Sequence, residues 1–228
     1  MCGRYTLSAP SDLIEDLLEL EESIELQPRF NIAPTQEAPV VLRRDSSAVR
    51  RLETLRWGLV PFWAKDRSIG DRMINARSET VVEKPAFRAS FKRKRCLVIA
   101  DGFYEWQATG GPKQPFYFRL TSGEPFAMAG LWDQWDKSAD GSCLETFTIL
   151  TTEPNSAVEP VHKRMPVILK RADHDTWLDP EYQDTDRLQE LLVPYPHTEM
   201  EGIPVSTYVN NPANQGPQCV EPIALGTS

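Results

Sequence analysis

The chain has no long apolar run and no Cys-x-x-Cys pair, and histidine is scarce, with 3 in 228 residues. Each shortage closes off a class of function. No stretch approaches the ~20 apolar residues of a membrane span, and no apolar segment follows Met1, so neither a membrane association nor a secretory leader is expected. The four cysteines, Cys2, Cys96, Cys143 and Cys219, are widely spaced. That spacing argues against a zinc site and a small disulfide scaffold, and fits a reduced, cytoplasmic setting. There is no nucleotide, flavin or metal motif, and Gly110-Gly111 before Pro112-Lys113 reads as a turn. No cofactor and no metal are therefore expected. Internal repeats and linker-like stretches are also missing, so residues 1–228 read as one domain, with a core over about 2–216 and a loosely ordered tail beyond. Glycine is outnumbered by proline, 12 to 19, which favours short elements joined by rigid loops over a helical bundle. A monomer is the default.

What is present is unevenly charged. The net charge is −8, which taken alone speaks against a nucleic-acid partner. Residues 43–95, however, hold 15 Lys/Arg against 6 Asp/Glu, a balance of +9 that leaves −17 on the remainder. Such asymmetry either builds a basic face on an acidic body or disperses over a solvated surface. The run Lys92-Arg93-Lys94-Arg95 has the same two readings: a track for duplex phosphates, or a charge block guarding the apolar strand that follows.

The apolar pattern predicts an amphipathic helix over Ser11–Glu22, with Ser11 as N-cap and Leu13, Ile14, Leu17, Leu18 and Leu20 as its stripe. Short strands follow at Val40–Arg44, Leu52–Trp57, Cys96–Ala100, Phe116–Leu120, Phe126–Leu131 and Thr146–Thr151. Thr121-Ser122-Gly123-Glu124 is expected to join two of these as a hairpin. Short helices are expected at Ala172–Leu178, with Asp173 near its start, and Asp186–Val193. The fold class that results is α+β, with an antiparallel, barrel-like central sheet flanked by helices.

The residue with the most distinctive chemistry is Cys2. Removal of Met1 would leave a thiol and a free amine on adjacent carbons, with unperturbed pKa values near ~8.5 and ~7.7–8.0. Such a 1,2-aminothiol condenses with an aldehyde: the amine forms an imine, and the sulfur then closes a five-membered thiazolidine. The plain alternative is a small buried core residue. Five further segments stand out: Pro61-Phe62-Trp63; Ile74-Asn75-Ala76-Arg77; Asp101-Gly102-Phe103-Tyr104-Glu105-Trp106; Val161-His162-Lys163-Arg164-Met165-Pro166; and Ser206-Thr207-Tyr208-Val209-Asn210-Asn211, followed by Asn214-Gln215-Gly216. Strand alternation puts Phe103 and Glu105 on one face and Tyr104 and Trp106 on the other. Aromatic neighbours give Glu105 an apolar setting that raises its pKa, unless it is a surface charge on an edge strand.

In order along the chain, C-G-R, R-F-N-I-A-P, W-G-L, I-N-A-R, G-F-Y-E-W, H-x-R-M-P and N-x-x-N-Q-G resemble the SRAP (SOS-response-associated peptidase) family from Cys2 to about Gly216. The resemblance implies a DNA-damage protein that binds single-stranded DNA, including strand–duplex junctions, and bonds through Cys2 to the ring-opened sugar of an abasic site. The thiazolidine crosslink would shield the lesion at the nucleoid. It implies that Cys2, Glu105, His162 and Asn75 are catalytic. Glu105 and His162 would move protons, and Asn75 would hold the Cys2 backbone or a sugar oxygen. Arg77 and Arg164 would clamp flanking phosphates, with Arg4 a further candidate, and Trp63 would stack on a base. Phe62-Trp63 stands where a Trp-Trp pair is expected. The activity implied is lyase- or autopeptidase-like and thiol-dependent. His174 and His197 match no motif and are expected to be structural or solvated. Two other readings use the same residues differently. A thiol hydrolase acting on amide bonds would use Cys2 as an N-terminal nucleophile, and a non-enzymatic nucleic-acid binding module would need Trp63 and the arginines alone.

Overall fold

The computed structural model describes residues 2–20, 23–45, 49–136 and 141–224. In chain order the strands are β1 (Tyr5–Leu7), β2 (Arg29–Ile32), β3 (Glu37–Leu42), β4 (Arg51–Trp57), β5 (Asn75–Arg77), β6 (Arg95–Ala100), β7 (Gly102–Gln107), β8 (Gln114–Leu120), β9 (Phe126–Trp135), β10 (Leu144–Thr152), β11 (Met165–Pro166), β12 (Ile168–Leu169) and β13 (Met200–Pro204). Four short helices accompany them: α1 (Ser11–Leu18), α2 (Arg88–Arg93), α3 (His174–Leu178) and α4 (Thr185–Glu190). Among the described residues no helix is long and apolar enough to cross a membrane.

Strands β10, β4, β3, β6 and β9 pair in that order, and β9 pairs back onto β10 to close a five-stranded barrel. The α+β class with a barrel-like sheet is therefore the architecture observed. The barrel is antiparallel except at one seam, where β4 and β10 run parallel through Thr146 opposite Arg56 and Phe147 opposite Trp57. A second, antiparallel sheet has the order β13-β8-β7-β1-β2. Both contribute to one hydrophobic core: Tyr5, Phe103 and Phe118 from the second sheet pack with Trp57, Val98 and Phe147 of the barrel. Tyr5 meets Trp57 edge-on at 5.2 Å, and Trp57 stacks on Phe147 at 6.2 Å.

The turn at Thr121–Glu124 forms, with Gly123 N–H donating to Leu120 O (3.0 Å), but it does not make a hairpin. It carries the chain from β8 in the second sheet to β9 in the barrel. Turn chemistry specifies a reversal; the partner of the outgoing strand is set by packing elsewhere. Helix α1 stops at Leu18 because Glu19 turns into the left-handed region (φ 49), and Glu21 and Glu22 lie outside the described residues. Its N-cap is Pro10, and the Ser11 hydroxyl instead accepts from Leu26 N (3.4 Å). Helix α3 is preceded by a 3-10 turn at Arg171–Asp173, and α4 is capped by Asp184, which accepts from Arg187 N.

Two buried polar groups act as staples. Arg95 is 2% exposed, and its guanidinium donates only to backbone carbonyls: Trp177, Phe91, Lys92, Asp179 and Tyr182. It thus pins α2 and the segment after α3 to the barrel. Its neighbour Lys94 pairs with Asp133 (2.7 Å), so only Lys92 and Arg93 of the basic run face solvent. Arg43, Arg44, Arg50 and Arg56 are likewise held by carboxylates, so the basic face is smaller than the sequence count suggests.

The second staple is Asn31 on β2, fully buried. Its Nδ2 lies within hydrogen-bonding distance of Val209 O (3.1 Å), Asn211 O (3.0 Å) and Asn214 O (2.9 Å), and Gln215 Nε2 donates back to Asn31 O (2.9 Å). Among the described residues the chain stays bonded to the body beyond Gly216. A 3-10 turn at Pro217–Cys219 buries Cys219, and Ile223 N donates to Pro204 O (3.0 Å). Replacing Asn31 with Ala removes the amide that joins these three carbonyls to β2 and takes the Oδ1 acceptor from Arg4, although Arg4, Asn214 N–H and Cys219 Sγ still donate to Val209 O, Asn211 O and Asn214 O. We expect a loss of about 2–3 kcal/mol in urea unfolding, with faster proteolysis confined to 207–216. A loss below about 0.5 kcal/mol would remove Asn31 as the anchor.

Candidate active site

Cys2 lies just before β1, and β1 pairs with β7 through Tyr5 opposite Phe103. The added bond from Tyr104 N to Arg4 O (3.0 Å) brings the start of the chain alongside the segment that carries Glu105. The alternation along β7 is the one read from sequence. Phe103 joins the main core, whereas Tyr104 and Trp106 pack into a separate cluster with Tyr117, Val205 and Val209. Glu105 therefore points inward and is 2% exposed. Burial pushes its carboxyl up to about 7.

His162 comes from the loop between β10 and β11. Its Nδ1 lies 3.5 Å from Glu105 Oε1. The same nitrogen lies 3.1 Å from both the N–H and the carbonyl oxygen of Arg164, so the loop backbone can partner it as acceptor or as donor. Burial holds the ring below the usual histidine pKa. Gln107 Nε2 ties this loop to β7 through Pro160 O (3.0 Å). Asn75 and Arg77 sit on β5, which runs parallel to β10 with Asn75 opposite Ile149 and Arg77 opposite Thr151. Asn75 Nδ2 donates to Cys2 O (2.8 Å), one of the two tasks implied for it, and its buried Oδ1 has no hydrogen-bond partner among the described residues.

Cys2 itself is fully buried. Burial first, and the charge of Glu105 second, drive its thiol well above the ordinary range. This corrects the expectation of a thiol poised near neutrality: the sulfur rests as S–H, and any reaction there must remove a proton as the bond forms.

The candidate DNA contacts separate into two kinds. Arg77 is exposed, and its guanidinium makes no hydrogen bond among the described residues. Phe62 and Trp63 are 52% and 43% exposed. They ride on a turn fixed by Phe62 N–H donating to Asp133 (2.9 Å). The W-G-L motif shapes the approach to that turn: Gly58 has φ +123, and a Cβ there would lie 2.6 Å from Gly70 O. Arg164 and Arg4, by contrast, are engaged within the protein. Arg164 forms a two-pronged pair with Glu79 (2.5 and 2.9 Å) and donates to Thr151 O (2.5 Å). Arg4 donates to Asn31 Oδ1 (2.8 Å), Val209 O (2.9 Å) and Asn210 O (3.2 Å), with its guanidinium over Trp106. Arg4 is thus a clasp on the C-terminal segment in the free protein. Lys113, from the turn between β7 and β8, was not singled out in the sequence, yet its charge is felt by both Glu105 and His162. His174 is buried in α3, away from the motif residues. No group of three or more metal-ligating side chains occurs among the described residues.

The family model for SOS response associated peptidase (SRAP) matches residues 1–212. The chain belongs to the SRAP family. Among SRAP relatives, the abasic site processing protein YoqW of Bacillus subtilis is 44% identical over 225 residues, covering 97% of this chain and 99% of that protein. The abasic site processing protein HMCES of Gallus gallus is 35% identical over 229 residues, covering 88% of this chain and 68% of that protein. In structure, a protein from Bacteroides thetaiotaomicron superposes with a TM-score of 0.85 at 27% identity, covering 98% of this chain and all of that one. A phage-related protein from Bordetella bronchiseptica gives 0.70 at 30% identity over 90% of this chain and 94% of that one.

The raised pKa of Glu105 carries a stability signature. The folded protein keeps a proton there that the unfolded chain releases above about 4.5, so this contribution is full below that pH and is lost as pH rises to about 7. Glu105→Gln, which cannot ionise, is expected to gain stability over the native protein across that window, by up to about 3 kcal/mol at pH 8. Parallel urea-stability curves for the two proteins from pH 4 to 8 would contradict a buried carboxyl.

Proposed function

We propose that this SRAP protein senses abasic sites in single-stranded DNA, including strand–duplex junctions, and bonds covalently to them through Cys2 after Met1 is removed. The names of the relatives support the substrate. The observation that carries the chemistry is Glu105, buried and titrating near 7, with its charge acting on the Cys2 thiol and His162 at 3.5 Å.

The steps balance as follows. The Cys2 amine attacks the aldehyde carbon of the ring-opened sugar, forming a C–N bond and a carbinolamine. Glu105 gives its proton to the carbinolamine hydroxyl, which leaves as water, and an iminium remains. Cys2 Sγ adds to the same carbon, and its proton passes to the Glu105 carboxylate. The product is a thiazolidine, one water is released, and Glu105 ends as it began. A thiol held as S–H suits this order, because the amine reacts first and the sulfur loses its proton only as the ring closes. Asn75 holds the Cys2 carbonyl so that amine and thiol face one carbon. His162 assists opening of the sugar ring. Arg77 meets a flanking phosphate, and Trp63 stacks on a neighbouring base, an interaction worth about 1–3 kcal/mol.

The test is an intact-mass spectrum before and after incubation with a single-stranded oligonucleotide bearing one abasic site. The expected product has the mass of the Met1-less protein plus the DNA less one water, and Cys2→Ala gives none. Loss of Met1 with no adduct would sink the reading in favour of a thiol hydrolase. Kinetics locate the proton donor. Glu105→Gln is expected to slow crosslinking by about a hundredfold with noncovalent affinity within twofold, and to lack the fall in rate that the native protein shows above pH 7. Equal losses of rate and affinity would make Glu105 structural. Noncovalent capture is expected to weaken steeply with salt, whereas the formed adduct survives it.

A further inference from the structure

The family resemblance assigns Arg164 to a phosphate, yet its guanidinium is occupied. Both terminal nitrogens face the Glu79 carboxylate, at 2.5 and 2.9 Å. This is the parallel, forked geometry in which a guanidinium also receives a phosphate. The two partners are unequally anchored. The Arg164 side chain is 17% exposed and is fixed from behind by Thr151 O. The Glu79 side chain is 51% exposed and sits on a 3-10 turn at Ser78–Thr80, immediately after β5. If the pair opens, Glu79 can turn into water at little cost, whereas Arg164 must stay.

The strand register explains why this carboxylate matters. Thr151 of β10 has Arg77 of β5 on one side and Pro166 of β11 on the other. Arg164, two residues before Pro166, donates to Thr151 O, so Arg77 and Arg164 both meet this residue of β10, and Glu79 is two residues from Arg77. Its carboxyl is held below the usual range, first by the Arg164 hydrogen bonds and also by the Arg77 charge. One carboxylate therefore lies in the field of the two cations that the family resemblance gives to DNA, on a chain whose net charge is already −8.

We infer that Glu79 is a placeholder for a DNA phosphate: it holds Arg164 in forked, phosphate-ready geometry in the free protein and is displaced when a backbone phosphate docks between Arg164 and Arg77. This inference rests on the proposed function. The placeholder keeps Arg164 ordered while empty, and it sets a threshold that a lone or weakly placed anion does not pass.

The test uses the full chain carrying Cys2→Ala, so that only noncovalent binding is read. Fluorescence anisotropy follows a single-stranded oligonucleotide with one stable abasic analogue across a salt series. Adding Glu79→Gln is expected to tighten binding about tenfold at low salt and to steepen the salt slope by about 0.7, one more phosphate neutralised without competition. Glu79→Ser, which also removes the reach of the side chain, is expected to give the same gain. Two controls make the result specific. Glu83→Gln, which removes a nearby exposed charge, is expected to change affinity by less than about twofold. In an Arg164→Gln background the gain from Glu79→Gln is expected to fall to about threefold or less, since only Arg77 still profits. Affinity that is unchanged or weaker in both Glu79 variants overturns the inference and makes Glu79 a strut for Arg164. An equal gain from Glu83→Gln overturns it as well. Those outcomes leave the proposed function standing as long as the parent binds the oligonucleotide. If neither parent nor variants bind it, the proposed function and the placeholder fall together.

Discussion

A β-strand has two edges, and everything in this molecule depends on how β10 divides them. Over Leu144–Ile149 one edge is taken by β9. The other edge is shared in sequence by β4, at Thr146 and Phe147, and β5, from Ile149 to Thr151. The first part of the strand closes the barrel. The last part, where β9 has ended and β11 takes over, is free to present the residues of the site. One element thus supplies both rigidity and address. A three-residue strand such as β5 has no stability of its own. Asn75 and Arg77 are held in place because β10 is held by the barrel.

The second constraint is dielectric. Cys2 and Glu105 are both removed from water, and burial moves both toward their uncharged forms. The arrangement keeps a thiol and a carboxyl group together in a setting where burial favours the protonated form of each. The Lys113 charge offsets only part of the rise in Glu105, while Arg4 is held by the carbonyls of 209 and 210 and Arg164 by Glu79. A free guanidinium beside Glu105 would pull its pKa down and leave a carboxylate with no proton to give.

Strand positions with clear alternation were readable from the sequence, and β3, β4, β6, β8, β9 and β10 fall within a few residues of where the pattern puts them. Strands β1 and β2 were not, because they are short and gain their stability from partners far along the chain. The mistaken hairpin after β8 has the same origin. Within the site, the face of Glu105 and the direction of its shift followed from Phe103, Tyr104 and Trp106. The thiol of Cys2 did not, since its burial depends on the whole core. Nor did the partners of Arg4 and Arg164, because a positive side chain in a motif looks alike whether it waits for a ligand or closes on a carbonyl 205 residues away. Several residues that make the family signature specific, Asn31, Asn214 and Gln215 among them, bond to one another, so much of the pattern records architecture.

That interlocking has a consequence for how the protein is made. Arg4 and Asn31 emerge from the ribosome among the first residues, but the carbonyls they grip belong to Val209, Asn210, Asn211 and Asn214. The last strand of the second sheet, β13, is itself built from residues 200–204. The sheet that carries Glu105 therefore cannot be completed until residues 200–204 have been made. A nascent chain that stops short of them holds Cys2 and Glu105 in an unfinished setting, and the site is assembled only when these distant segments meet.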